Sequence, residues 1–573
     1  FKKNNNFFSN LGVFIYKNQF NKNALKLLAD EIDNGKKLES ILSDNQIRGQ
    51  FCLILIIKNE LKIITDKLGY YPVYFYKKND NISISNTMLL LAKNNTTTIN
   101  HLGVAQYLSE NYRHVTYACC DQNLFKEINY LEPGTIYEIR QNSIFKNHYY
   151  DIKRHLEIGK YDSFNEITEL SQEILTNNLS FLKNVEGRIH SDITGGIDTR
   201  LVISLLEKLG INFNVGVQAI TEYKDFSNQG KFSELNIIDK IIKYKKLEFD
   251  IFSEEKYNLN SKLIEDITFL HSHKQTYNRR TGYFFDVRNK DTSIMISGMS
   301  GTELLRLSYL DYFKDNNELD LLSFLTRYVE LVDVMHDNLL NKKEYYDHLI
   351  NFYENNLSGI KYKKAKDLSS FIDYFAFYRT HFCRYLSLAN SFLPFYTPYG
   401  DHTFARFMYQ VSWNQKKKFK IQRSILSKLD PKLASFYSTR GIPLSTVSLS
   451  NFYRFSNMIS DNIPQQYFNF SQRISRFAYT KLIRFLFKNK KIYYSYLNKN
   501  NDKKIISKKN LWNTPDNISI IKDLDEFINS SNNLPVFELV DKKKLIHYTE
   551  KDCNYNVLNR VKNLNRILEF TSN

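Results

Sequence analysis

The sequence predicts a multi-domain α/β protein. A β-rich α+β region covers residues 1–150, a doubly wound parallel α/β region covers 151–450, and a helical extension covers 451–573. Three observations carry this. The chain has 573 residues, more than one hydrophobic core organises. Apolar residues make up 42% of it, which marks a packed chain rather than a disordered one. The apolar period also changes along the chain, from near two, to strand-then-helix, to near 3.6 beyond about residue 310.

In the first region, residues 12–16 read as a strand. Residues 50–58 and 61–66 form a hairpin about Asn59-Glu60, and residues 73–76 and 82–85 a second about Asn79-Asp80-Asn81. Helices over 23–34 and 102–108 intervene. The turn Leu131-Glu132-Pro133-Gly134-Thr135 launches a strand over 136–139. In the second region a helix at 164–178 precedes a strand at 187–193, a helix at 199–209 and a strand at 213–218. Parallel strands need a crossover helix, so this is a βαβ unit. A helix at 233–244 and strands at 248–252 and 293–297 continue the alternation. Helical patterns then cover 321–333, 343–355, 368–388 and 403–411, with a closing amphipathic helix at 558–570.

Composition excludes several classes. No apolar run approaches the ~18–20 residues of a membrane-spanning helix. No apolar segment follows Phe1-Lys2-Lys3-Asn4, so no signal peptide is visible. Five cysteines are scattered without a C-x-x-C pair, which argues against a disulfide framework or zinc site and for a reducing cytoplasm. The net charge of +18 has two readings. One is an anionic partner; the other is a bias toward Lys, Asn, Ile and Tyr, the last present 40 times.

The stretch His190-Ser191-Asp192-Ile193-Thr194-Gly195-Gly196-Ile197-Asp198-Thr199-Arg200 carries the chemistry. An apolar strand runs into two glycines, then an acid and a hydroxyl, then an apolar helix. Adjacent glycines let backbone N–H groups approach a polyanion, and the helix N-terminus adds partial positive charge. Asp198 would repel a bare phosphate and suits one bridged by Mg2+. Thr194 and Thr199 offer hydroxyl donors. An ordinary strand-to-helix turn would use the same residues, so the loop alone does not decide.

This stretch resembles the pyrophosphate loop of ATP pyrophosphatases (the PP-loop superfamily), in a form found in asparagine-synthetase-like proteins. Further residues carry the likeness. Gly49-Gln50-Phe51-Cys52, Asp66-Lys67-Leu68-Gly69-Tyr70-Tyr71-Pro72-Val73-Tyr74 and Leu131-Glu132-Pro133-Gly134 resemble, in order, motifs of the family's N-terminal glutaminase-like domain. The resemblance implies an Ntn-type α+β sandwich there, a PP-loop synthetase domain after it, and a helical C-terminal extension. Ser297-Gly298-Met299-Ser300-Gly301-Thr302-Glu303-Leu304-Leu305-Arg306 resembles the family's second loop, whose acid binds metal. Thr302 stands where that acid would be and Glu303 is retained, so the resemblance makes Glu303 the second metal ligand beside Asp198.

The resemblance further implies a nucleotide site of Thr194, Gly195, Gly196, Asp198, Thr199, Ser297 and Gly298, with backbone groups of Val215, Gly216 and Val217 reading adenine. Arg440, beside the family's lysine position, is the expected fork donor to phosphate. Tyr378 with Arg379 is the expected base pair for the attacking amine. The family's glutaminase uses a cysteine at position 1; here Phe1 stands there and Asn86 falls where its glutamine-holding acid would be, so an inactive glutaminase-like domain is expected.

Together these readings predict an ATP- and Mg2+-dependent, amide-forming enzyme related to β-lactam synthetase, lasso-peptide cyclases and polysaccharide-cluster homologues. It adenylates a small-molecule, peptide or saccharide carboxylate and passes the acyl group to an amine donor or ammonia, in the cytoplasm, with a homodimer as one open possibility. Two alternatives remain at this point. A tRNA-modifying PP-loop ATPase would suit the charge, although no nucleic-acid-binding module is visible. A catalytically inactive scaffold would suit Thr302 and Phe1.

Overall fold

The computed structural model describes residues 1–4, 6–78, 81–111, 122–140, 143–219, 233–253, 261–272, 278–305, 329–330, 334–438, 444–445, 527, 534–546 and 555–572. Contacts divide the chain into one unit of residues 1–445 with 533–573 and another of 446–532. The fold described below is that of the first.

The N-terminal region is built on a seven-stranded antiparallel sheet. Its main strands are β1 (Asn6–Tyr16), β2 (Ile47–Ile57), β3 (Glu60–Thr65), β4 (Thr135–Arg140) and β5 (Ser143–His148), in that spatial order. Two short strands, Lys2–Lys3 and Gln19–Phe20, pair with β1. The β2–β3 hairpin turns at Lys58 and Asn59, one residue earlier than the sequence suggested. Both have positive φ, 51° and 64°, the two-residue turn whose twist matches its strands. A three-stranded sheet of Tyr74–Lys78, Asn81–Ser85 and Ile128–Tyr130 packs with it. Cys52, Ile63, Tyr71, Val73, Leu131 and Tyr137 form the buried cluster, with Phe75 and Ile84 packed against it.

The second sheet is parallel throughout. It contains β6 (Arg188–Asp192), β7 (Asn214–Ala219), β8 (Phe249–Ser253), β9 (Thr292–Ile296) and β10 (Phe395–Tyr396), in the spatial order β8-β7-β6-β9-β10. Helix α1 (Ile197–Lys208) joins β6 to β7, and α2 (Glu234–Lys245) precedes β8. The chain builds outward from β6 to β8 and then returns to place β9 on the other side of β6. That reversal is a topological switch point, where parallel sheets open a crevice beyond their strand C-termini. The two-residue β10 is too short to be legible as a strand; it forms because Met295 and Ile296 of β9 offer it an edge.

The helical expectation for 321–333 is corrected where it can be seen. Val329–Glu330 is a strand, antiparallel to Glu110–Asn111, a partner more than 200 positions away that local periodicity cannot register. The rest of that range lies outside the described residues. The helix expected at 368–388 contains a π-helical stretch, Tyr374–Phe382, between the α-helices Ala365–Asp373 and Cys383–Asn390. The closing helix spans Tyr555–Ser572 and packs on the N-terminal region; Arg560 donates to the carbonyls of Leu108 (3.1 Å) and Ser109 (2.6 Å). No described helix is long and apolar enough to cross a membrane.

The two sheets share one unit because buried polar bonds tie them. Asp401 accepts from the Gly49 N–H (3.0 Å) and from the Tyr396 hydroxyl (3.0 Å). Tyr374 donates to the Leu68 carbonyl (2.8 Å), and the Tyr70 and Tyr409 hydroxyls meet at 2.8 Å. Breaking such bonds would strand buried polar groups, at roughly 1–3 kcal/mol each.

Candidate functional site

The glycine turn after β6 closes on itself through its threonines. The Thr194 and Thr199 hydroxyls are 2.9 Å apart, Thr199 Oγ1 accepts the Thr194 N–H (3.3 Å), and Thr194 Oγ1 accepts the Gly196 N–H (3.1 Å). Gly196 is the N-cap of α1 and is exposed at the mouth of the turn. The Gly195 N–H donates to the Glu234 carboxylate at 3.3 Å, and Glu234 opens α2 behind the cap Ser233. An anionic oxygen therefore already occupies one donor of this turn.

The second loop, Ser297 to Gly301, follows β9 and lies directly against the first. A Cβ on Gly298 would sit 2.8 Å from the Thr199 nitrogen. A Cβ on Gly301 would sit 2.6 Å from Asp198 Oδ1. Real Cβ atoms do not approach so closely: against backbone at Gly298 the contact requires a glycine, whereas at Gly301 a Cβ would displace the Asp198 carboxylate. Asp198 also accepts from Gln422 Nε2 (3.3 Å), and its carbonyl accepts from the Tyr399 hydroxyl (3.0 Å). The structure thus brings Thr194, Gly195, Gly196, Asp198, Thr199, Ser297 and Gly298 together at the switch point.

Four other residues organise this site without having been predicted. Asp192, the last residue of β6, accepts from Ser297 Oγ (2.7 Å) and the Tyr283 hydroxyl (3.1 Å), tying the first loop to the second. Tyr283 also meets His190 Nε2 at 3.1 Å. Burial pushes His190 down to about 4, so it is a neutral partner near pH 7. Arg200 is fully buried and donates to four carbonyls: Gly195 (3.0 Å), Tyr437 (2.6 Å), Phe436 (3.0 Å) and Leu433 (3.5 Å). It clamps the glycine turn to the segment that leads toward Arg440. Both Asp192 and Arg200 lie within the glycine-loop stretch, but only their partners, far away in sequence, reveal what they do.

The remaining predicted residues are placed as follows. Val215, Gly216 and Val217 lie inside β7, paired with β8 on one side and β6 on the other. A Cβ on Gly216 would meet Tyr283 Oη at 2.2 Å and His190 Nε2 at 2.3 Å, so this glycine makes room for their hydrogen bond. Glu303 falls in the short helix Gly301–Leu305, with its side chain outside the described part, and Arg440 lies outside the described residues altogether. Tyr378 and Arg379 have different surroundings. Tyr378 is buried, stacks on Tyr70 at 5.2 Å and donates to the Ser300 carbonyl of the second loop (3.4 Å). Arg379 lines a separate cavity. Both sit on the π-helical stretch, a geometry frequent at functional sites.

Asp192 and Asp198 supply hard oxygen ligands, and Mg2+ is ordinarily held by one or two carboxylates plus waters and phosphate oxygens. The donor set fits that ion. Among the described residues no group of three His, Cys, Asp or Glu side chains forms a closed metal cage.

In the N-terminal region, Cys52 lies within β2 and burial pushes its thiol up to about 12, so it is not a nucleophile. Asn86 donates to the Tyr71 hydroxyl at 3.3 Å. Residues 40–150 match the family model of a glutamine amidotransferase domain. That region therefore resembles a domain whose family supplies ammonia or an amine. No curated protein matches the chain. Three solved structures show weak likeness. Glutamine phosphoribosylpyrophosphate amidotransferase from B. subtilis, complexed with ADP and GMP, is 13% identical with a TM-score of 0.15, covering 38% of this chain and 47% of that one. An allosteric regulatory enzyme of purine biosynthesis is 12% identical with a TM-score of 0.16, covering 38% and 46%. NMN synthetase from Francisella tularensis is 15% identical with a TM-score of 0.20, covering 39% and 97%. The chain spans about half the length of the first two, and at these scores none of the three bears on the fold or the site.

Proposed function

We propose that this chain is an ATP-dependent carbon–nitrogen ligase that adenylates a substrate carboxylate and transfers the acyl group to an amine or ammonia. One observation carries the reading: two small-residue loops from adjacent parallel strands meet at the sheet's switch point with Asp198 between them.

In this reading the triphosphate of ATP lies over Gly195, Gly196 and the N-terminus of α1, where backbone N–H groups favour anions. Glu234 gives up the Gly195 N–H as the phosphate arrives. Asp198 and Glu303, with Asp192 beside them, would hold Mg2+, which would supply neutralisation of the phosphate charge. Backbone groups of Val215, Gly216 and Val217 in β7 would read the adenine.

The substrate carboxylate oxygen attacks the α-phosphorus. That O–P bond forms as the bond to the β-phosphate oxygen breaks, and pyrophosphate leaves. Loop amides and Arg440 stabilise its charge. The amine then attacks the acyl carbon, loses a proton, and expels AMP. Arg200, Tyr378 and Tyr399 are positioning residues: they hold the first loop, the second loop and the Asp198 backbone. The amidotransferase-like region fits the supply or reception of the amine. The carboxylate belongs to peptide, secondary-metabolite or surface-polysaccharide chemistry.

The test is ATP–pyrophosphate exchange over a panel of candidate acids with the full chain, and Asp198→Ala as control. Exchange that depends on one acid and vanishes in the variant is expected. Absence of AMP and pyrophosphate with every acid rejects adenylation.

A further inference from the structure

A cavity of about 530 Å³ opens where the amidotransferase-like region meets segment 151–155 and the π-helical stretch. No residue of either glycine loop lines it. Lys67 does, and the backbone around it is fixed. The Asp66 carboxylate accepts the N–H groups of Leu68 (3.0 Å), Tyr70 (3.1 Å) and Tyr71 (2.8 Å), and Gly69 turns the chain with φ +62°. The Lys67 side chain is buried. Its ammonium donates to the carbonyls of Asp44 (2.6 Å) and Ile47 (3.4 Å), lies 3.4 Å from His402 Nε2, and sits 5.6 Å from the centre of the Tyr150 ring.

Among the described residues, no carboxylate oxygen comes within ion-pair distance of Lys67. A buried cation without a counter-ion is costly, and the adjoining cavity is where a counter-ion could enter. The other lining groups suit an anion. Lys153 and Arg379 face the same space. The two acids that line it are engaged: Glu132 with Lys146 (2.7 Å) and His148 (3.1 Å), Asp151 with the Lys153 N–H (3.0 Å) and Arg154 (3.5 Å). Tyr150 and His155 stack at 5.1 Å and 15°, one ring over the other, so the pair presents the outer face of the exposed His155 ring.

The geometry points to this cavity as a binding site for a small planar-ring anion, a ring bearing a phosphate or a carboxylate. The Lys67 charge, its N–H groups held by Asp44, Ile47 and His402, attracts the anion together with Lys153 and Arg379, and the outer ring of the Tyr150–His155 stack supplies the stacking face. The site is independent of adenylation at the glycine loops. Burial pushes the Lys67 amine down to about 7; Arg406 adds to this, while Asp401 and Asp44 oppose it. Anion binding uses the ammonium form, so it weakens as pH rises through that value.

Pyridoxal phosphate, a ring that carries both a phosphate and an aldehyde, is the probe. The neutral Lys67 amine adds to the aldehyde carbon, water leaves, and borohydride reduces the imine to a stable secondary amine. Near pH 7 the free-amine fraction of a lysine with pKa about 7 is on the order of a thousandfold that of an ordinary lysine. Lys416 is the internal control, because burial pushes it down to about 7 as well, yet it does not line the cavity.

Peptide mapping of the full chain should place more than about tenfold as much label on Lys67 as on Lys416 or exposed Lys36. Phenyl phosphate or benzoate should suppress it, and whichever competes better identifies the anion. A Lys67 left unlabelled, labelled no more than Lys416, or labelled equally with both competitors present overturns the site.

Discussion

Replacing Gly298 with alanine tests the contact on which the candidate site rests. The added Cβ would lie 2.8 Å from the Thr199 nitrogen, 2.9 Å from Thr199 Cγ2 and 3.0 Å from the Asp198 carbonyl carbon. The first of these is roughly 0.6 Å inside ordinary contact distance. Two of the three atoms are backbone at the start of α1, so no rotamer change relieves the clash and the loops must part. Overpacking of this kind costs roughly 1–3 kcal/mol.

Gly301→Ala makes a different demand. Its Cβ would meet Asp198 Oδ1 at 2.6 Å and Cγ at 2.7 Å, the movable end of a side chain. Turning that carboxylate aside costs only about 0.5–1.5 kcal/mol, but it displaces the proposed metal ligand. Gly298→Ala should therefore lower both the urea midpoint and ATP–pyrophosphate exchange. Gly301→Ala should keep most of the stability and lose exchange by about tenfold for each 1.4 kcal/mol withdrawn from the transition state. If both variants unfold and exchange like the parent, the loops do not touch and the reasoning fails.

Arg200→Lys keeps the charge but not the fork that reaches four carbonyls; a loss of about 2–4 kcal/mol in urea unfolding, with weaker exchange, is expected. Asp401→Asn should cost about 3 kcal/mol at neutral pH, read by the same unfolding curves. Burial raises the Asp401 pKa, but His402, Arg48 and the Thr403 N–H together hold it well below the usual carboxylate range. Its contribution is therefore present above about pH 4 and lost as pH falls, a slope that the Asn variant should lack. Lys67 gives a slope of the same sign in a more alkaline window. Its folded pKa of about 7 lies below the unfolded value, so the unfolded chain binds more protons between the two. Stability should rise with pH from about 7 to about 10, by on the order of a few kcal/mol, and Lys67→Met should flatten that rise.

Local rules explain which parts of the fold were legible. In the first hairpin, the apolar run of β2 and the short β3 are joined by residues that accept positive φ, so sequence separation of a few positions was enough to place them. The βαβ unit of β6, α1 and β7 was legible for the same reason. The pairing of Val329–Glu330 with Glu110–Asn111 and the edge strand β10 depend on partners far away in sequence, which no window along the chain contains.

The candidate site divides along the same line. The glycines, Asp198 and the threonines could be named from their order, because a tight turn before a helix is a local object. Tyr378 and Arg379 are adjacent in sequence, yet one reaches the Ser300 carbonyl and the other a separate cavity. Gly216 could be picked out from the strand end, but its need for a bare Cα comes from Tyr283 and His190 crossing there.

The sequence by itself determined the elements and the loop chemistry, since φ preferences, apolar period and hydroxyl-acid spacing act within a few residues. Only the tertiary structure decided that the loop after β9 lies against the loop after β6, that Asp192 and Arg200 hold them, and that Lys67 is buried beside a cavity. Those are contacts between segments 20 to more than 300 residues apart, and they are fixed by burial and hydrogen-bond satisfaction across the whole core.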